Sequence, residues 1–222
     1  MKKTLAILLV LVLVFASVAT VFAAEGEIDY SQWNSNSAYP SDVVNTKLFT
    51  PVKFLVDKGV VEGYDDGLYH PDWSVTRAEY IKMLLIATNN DNALSQYQNK
   101  SGFSDTQGHW ADKQGYIGAG VAAGLINGYP DGTFKPDDKV SYAEMGAMFL
   151  RTKGIKDAQL QSYGSNFNQR VQKYLDMYNM DSTMTNVYSF ADDATRGNVA
   201  HFLYKNLPKP AAPVTTGGGV TP

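Results

Sequence analysis

Two arginines stand where charge chemistry is possible. Arg77 follows Thr76, with Glu79 two residues further on, and Arg196 follows Thr195, with Asn198 in the matching place. A Ser/Thr followed three residues later by Glu is a capping box, so each arginine occupies the first position of a helix. A cation there opposes the helix dipole and costs a few tenths of a kcal/mol to about 1 kcal/mol. The compensating use is anion binding: a helix N-terminus attracts negative charge, and a guanidinium can hold a carboxylate in bidentate fashion. A second role is equally open for each, pairing with an Asp of a neighbouring segment and so locking segments together. The other polar groups offer less. His70, His109 and His201 have no metal-ligand spacing and read as surface or loop residues. Asp65-Asp66, Asp137-Asp138 and Asp192-Asp193 suggest carboxylate pairs or calcium, but adjacent loop residues usually point apart and the EF-hand spacing is missing. With no Cys, no phosphate loop and no serine elbow, the chain is expected to be no enzyme and to need no cofactor or metal.

The elements that must position these residues come as a repeat. Residues 59–85 overlay residues 124–150 without a gap at an offset of 65, with identities that include Gly63/Gly128, Tyr64/Tyr129, Asp66/Asp131, Gly67/Gly132, Pro71/Pro136 and Glu79/Glu144. A fainter third copy runs through Ala194-Thr195-Arg196-Gly197-Asn198, and its preceding loop has lost the glycines. Each copy reads as helix, loop, helix. Leu48, Phe49, Val52, Leu55 and Val56 share a helical face that Gly59 stops; Tyr116, Ile117 and Val121 do so before Gly124. Phe167, Val171, Tyr174, Leu175 and Tyr178 are the third set. The loop Gly-Tyr-x-Asp-Gly is turn chemistry, with Gly67 and Gly132 free to take positive φ and, at Gly132, to admit a ligand to the backbone. Thr76 with Glu79, and Ser141 with Glu144, cap the second helices. Their buried faces are expected to be Ile81, Leu84 and Leu85, then Met148, Phe149 and Leu150, then Val199, Phe202 and Leu203. No such pair buries its own face, so the copies must stack.

The ends and the composition set the compartment. Met1-Lys2-Lys3, an apolar run from Leu5 to Phe15, and Val21-Phe22-Ala23 have the three-part layout of a secretory signal peptide, expected to be residues 1–23. A retained membrane anchor is the rival reading. Cleavage after Ala23 removes Lys2 and Lys3 and takes the net charge from −3 to −5. The 44% hydrophobic content is that of a folded chain, and the acidic balance argues against nucleic acid. Residues 24–38 form a polar lead-in, and residues 208–222 a Pro/Thr/Gly-rich linker or tail.

Together, Phe103-Ser104-Asp105, His109-Trp110-Ala111, Gly124-Leu125-Ile126-Asn127-Gly128-Tyr129-Pro130-Asp131-Gly132-Thr133-Phe134-Lys135-Pro136 and Ala143-Glu144 closely resemble the S-layer homology module. Copy one keeps Thr76-Arg77-Ala78-Glu79 but lacks the Trp, copy two has Tyr142 in place of the Arg, and copy three is degenerate. The resemblance implies an all-α fold in which three helix-loop-helix repeats (39–87, 102–152 and 166–207) form a pseudo-three-fold trimer around a central three-helix bundle. It implies a secreted protein of the cell wall or S-layer that binds secondary cell-wall polysaccharide, often a pyruvylated amino sugar, in grooves between repeats. Other S-layer subunits are further expected partners, and the membrane is met only through the signal peptide during export. Arg77, Glu79 and Arg196 are then the expected ligand-binding groups at the capping boxes. Trp110 would stack on a sugar face, unless it packs into its module's core, and Asp105 would accept from hydroxyls. Trp73 would border the groove of Arg77, and Gly132 lies in the loop that approaches the ligand. Tyr142 carries no charge, so its groove is expected to be altered. The competing reading is a structural, self-assembling envelope protein with vestigial grooves.

Overall fold

The structure, a computed structural model, describes residues 39–209, all within the second of the chain's two units, which begins at Ser37. The expected signal peptide and lead-in, and the tail from residue 210 onward, lie outside the described residues. Among the described residues there are α-helices, two 3₁₀ turns and isolated β-bridges, and the fold is all-α. The helices are α1 (Phe49–Asp57), α2 (Arg77–Ala87), α3 (Trp110–Lys113), α4 (Tyr116–Ala122), α5 (Tyr142–Thr152), α6 (Phe167–Met177) and α7 (Arg196–Asn206). The 3₁₀ turns Leu94–Tyr97 and Asp157–Tyr163 fall in the segments between copies.

Helix ends follow the local chemistry. Thr76 and Ser141 each accept the N–H of the glutamate at the third helical position, and each glutamate returns a bond to the cap's own N–H, so both boxes are complete. Thr195 accepts from Asn198 N, but the Asn198 side chain turns elsewhere, and only half the box is made. Gly59 and Gly124, each just past the C-cap, take φ of 68° and end α1 and α4 in the left-handed region.

The packing is cyclic. The first helix of each copy lies on the second helix of the copy before it: α4 on α2, α6 on α5, and α1 on α7. The three second helices supply most of the core. Tyr80 of α2 donates its hydroxyl to Met145 O of α5, and Phe149 of α5 meets Phe202 of α7 edge to face at 5.1 Å. Ile81, Leu84, Leu85, Phe149, Leu150, Val199, Phe202 and Leu203 are all buried. The outer helices depart from their expected faces at the ends: Val121, Phe167 and Tyr178, each at or next to a helix end, are exposed.

Backbone hydrogen bonds close the same cycle. Val75 N donates to Ala194 O, Ala194 N to Val140 O, and Val140 N to Val75 O. These residues precede the three second helices, so the helix starts are tied to one another before any side chain acts.

Candidate functional site

The loop of each copy receives the helix start of the preceding copy. Arg77 N and Ala78 N donate to Asp138 O and Pro136 O; Tyr142 N and Ala143 N to Asp192 O and Phe190 O; Arg196 N and Gly197 N to Trp73 O and Pro71 O. The N–H of the third position goes to the cap side chain in every case. The expected anion site at a bare helix N-terminus is therefore corrected: its amides are already satisfied by carbonyls. What remains for a ligand is the arginine side chain.

The two arginines sit in matching frames with different outcomes. Arg77 is 3% exposed, donates Nε to Phe134 O at 2.8 Å, and lies over the Tyr129 and Phe134 rings, 4.7 Å from each centroid. Its NH1 is taken by Glu144 Oε1 at 2.7 Å, and the Tyr129 hydroxyl donates to the same oxygen. Burial, with that bond to Glu144, pushes the Tyr129 hydroxyl up to about 12, so it remains a donor at neutral pH. This guanidinium is neutralised and covered.

Arg196 is 8% exposed, donates Nε to Tyr69 O at 2.8 Å and lies over Tyr64 and Tyr69 at 4.7 and 4.5 Å. Its NH2 reaches only Glu62 O, at 3.3 Å, and no carboxylate pairs with it among the described residues. Glu79, the counterpart of Glu144, accepts Thr76 N at Oε2 just as Glu144 accepts Ser141 N, but it makes no ion pair with Arg196. Arg196 instead faces a groove of about 250 Å³ whose lining includes Tyr64, Glu79, Lys82, Met83 and Trp110. The groove brings a desolvated guanidinium, a lysine, two glutamates (Glu62 and Glu79) and an indole together. It can take a carboxylate at the cations, hydroxyl donors at Glu79 and an apolar ring face at Trp110.

In the third frame Tyr142 is buried beside Phe190, and its hydroxyl accepts from Asn198 Nδ2 at 2.7 Å. Asn198 also donates to Thr185 O and accepts from Thr185 N. A neutral hydrogen-bond network occupies the place held elsewhere by the arginine.

The other candidate residues fall as follows. Trp110, 37% exposed, opens α3 and lines the Arg196 groove instead of packing into its module's core. Trp73, expected to border the groove of Arg77, borders the Arg196 side instead: its carbonyl receives Arg196 N, and its ring meets Tyr64 at 5.2 Å. The cyclic order is the reason, because the loop carrying Trp73 serves the helix of copy three. Asp105 spends both oxygens on backbone, Oδ1 on Phe134 N and Oδ2 on Lys135 N, and so clamps the loop of copy two. Asp42 does the same for Tyr69 N and His70 N. Asp42 escaped the sequence reading, although its distance ahead of the loop nearly matches that of Asp105. Gly132 takes φ of 80° in the turn, and its carbonyl accepts from Ser104 N. Lys82 and Tyr64 are groove residues that sequence alone did not place there.

Residues 41–81 and 102–145 match the S-layer homology domain, and the chain carries S-layer homology domains at these two segments. A relative named cell surface glycoprotein 1, from Acetivibrio thermocellus, is 34% identical over 145 residues, covering 61% of this chain and 6% of the relative. The cellulosome-anchoring protein of the same organism is 36% identical over 102 residues, 46% of this chain and 22% of the relative. A surface layer protein of Brevibacillus choshinensis is 27% identical over 153 residues, 65% of this chain and 13% of the relative. The chain thus spans less than a quarter of the length of each of these relatives. Their names place them at the cell surface, and the chain's localisation is the cell wall or S-layer.

Proposed function

We infer that this chain is a non-catalytic anchor that binds an anionic cell-wall polysaccharide in the Arg196 groove. The carrying observation is the contrast between two otherwise matching frames: Glu144 satisfies Arg77, whereas Arg196 opens without a carboxylate partner onto a groove that also holds Trp110 and Glu79. A sugar bearing a carboxylate, such as a pyruvylated amino sugar, suits that groove. Its carboxylate would meet Arg196 and Lys82, its hydroxyls would donate to Glu79, and its apolar face would lie on Trp110. In this reading residues 166–207 act as a third, degenerate module that completes a pseudo-three-fold unit, and the closed cycle of Val75, Ala194 and Val140 supports it. The structural alternative, self-assembly with vestigial grooves, gains support from the neutral Tyr142 network and the closed Arg77 frame, but those cover two of the three sites only.

The test is retention on purified cell wall with and without the pyruvyl groups. Arg196→Gln is expected to lose retention on intact wall, and the unaltered chain is expected to lose it on wall stripped of pyruvate. Equal retention on both walls contradicts the carboxylate mechanism.

A further inference from the structure

Trp73 is 52% exposed, unusually high for an indole that is also held in place. His70 covers one face of it, with ring centroids 3.8 Å apart and planes 5° from parallel. His70 is fixed in turn: its Nε2 bonds Asp66 Oδ2 at 2.7 Å, its backbone N–H goes to Asp42, and its own φ is 55°. Asp66 also accepts from Leu68 N, so the support continues into the turn. Tyr64 packs its ring at 61° to the indole. The indole is therefore locked on one side and open on the other.

Its position matters as much as its rigidity. Tyr64 is the ring on which the Arg196 guanidinium lies, and Trp73 O receives Arg196 N. Tyr64 and Trp110 thus line one groove, and Trp73, packed on Tyr64 at 5.2 Å, stands beside it as a third exposed aromatic. The other loops carry no equivalent. In copy two, Lys135 replaces His70 and lies over Tyr129, while Asp138 replaces Trp73. In copy three, Asp192 stands there, its carbonyl receiving Tyr142 N as Trp73 O receives Arg196 N.

We propose that Trp73, backed by His70, is a second sugar subsite that extends the Arg196 groove, so that the chain grips at least two consecutive residues of the same glycan. The inference rests on the carbohydrate reading of that groove and deepens it. The ligand is an oligosaccharide whose carboxylated residue lies at Arg196 and whose next ring lays its C–H face on the open side of the indole. Holding the indole in advance removes the ordering cost of binding, which is the use of an exposed aromatic kept rigid. Trp110 and Trp73 then contact different rings, and chain length, not only charge, determines affinity.

The experiment titrates the full chain with two probes: a pyruvylated N-acetylhexosamine monosaccharide and the wall-derived oligosaccharide that ends in the same residue. The unaltered chain is expected to bind the longer probe more tightly. Trp73→Ala is expected to weaken the longer probe about three- to tenfold and leave the monosaccharide within twofold. Trp73→Phe should recover part of the loss, and His70→Ala should reproduce a smaller one. Arg196→Lys should weaken both probes. Tight binding of both probes with no change on Trp73→Ala, or equal loss on both, overturns the subsite while the groove stands. Binding of neither probe by the unaltered chain overturns the groove reading and the subsite with it.

Discussion

Arg77 and Arg196 share a sequence position, a carbonyl partner and a pair of aromatic rings, yet one carboxylate separates their roles. Arg77 is an internal ion pair. Removing it leaves Glu144 facing a covered pocket, and truncation of such a pair costs more than a surface pair is worth. Arg77→Ala is expected to cost about 2–4 kcal/mol, read as a lower denaturation midpoint at unchanged slope. Wall retention of the folded fraction should persist. Arg196→Lys keeps the charge and loses the planar fork, so it should reduce retention at least tenfold with a smaller stability change. A second residue-scale effect is set by Asp181. Burial, a hydrogen bond that its protonated form donates to Asp176, and the negative charge of Asp176 push its carboxyl up to about 6. A folded pKa above the unfolded one means that the protonated form favours folding, so this contribution is present below about pH 4 and is lost as pH rises through about 6. Asp181→Asn should therefore be stabilising at pH 7, by about 1 kcal/mol after screening, and the gain should vanish near pH 4. Thermal melts of both chains across that range check it.

At the scale of elements, the helix starts were legible and their partners were not. Thr76 with Glu79 and Ser141 with Glu144 declare their helices because the capping bond is local. The buried faces of α2, α5 and α7 were legible for the same reason. Nothing local, however, says that Arg77 lies on the loop of copy two and Arg196 on that of copy one. Trp73 is four residues from Arg77 in sequence and serves Arg196 in space, which is why the groove composition was misread. Asp105 looked like a ligand acceptor because its loop-clamping partners lie about 30 residues away. Copy three shows how a box is replaced: Asn198 leaves the cap to bridge Tyr142 and segment 185. Asn198→Ala is thus expected to cost about 2–3 kcal/mol, more than the ~1 kcal/mol of Thr195→Ala, because it orphans buried groups instead of one cap. Chemical denaturation of the two variants makes the comparison.

The whole described unit depends on closure. Each first helix rests on the second helix of the preceding copy, and α1, the first helix among the described residues, rests on α7, the last of them. Unlike an open solenoid, the cycle leaves no terminal copy that needs its own cap. Unfolding should be a single transition, and a chain ending at residue 165 should lose native helicity throughout, as circular dichroism would show. Closure also generates the groove, since Arg196 from copy three meets Tyr64, Lys82 and Glu79 from copy one and Trp110 from copy two. A carbohydrate site built from all three copies, with one open arginine, is the central claim. Calorimetric titration of the full chain with a pyruvylated N-acetylhexosamine monosaccharide tests it most directly. The account predicts one site per chain, abolished by Arg196→Gln and retained in Arg77→Gln once allowance is made for its folded fraction. Two sites per chain, or equal binding of the same sugar without its pyruvate, would contradict it.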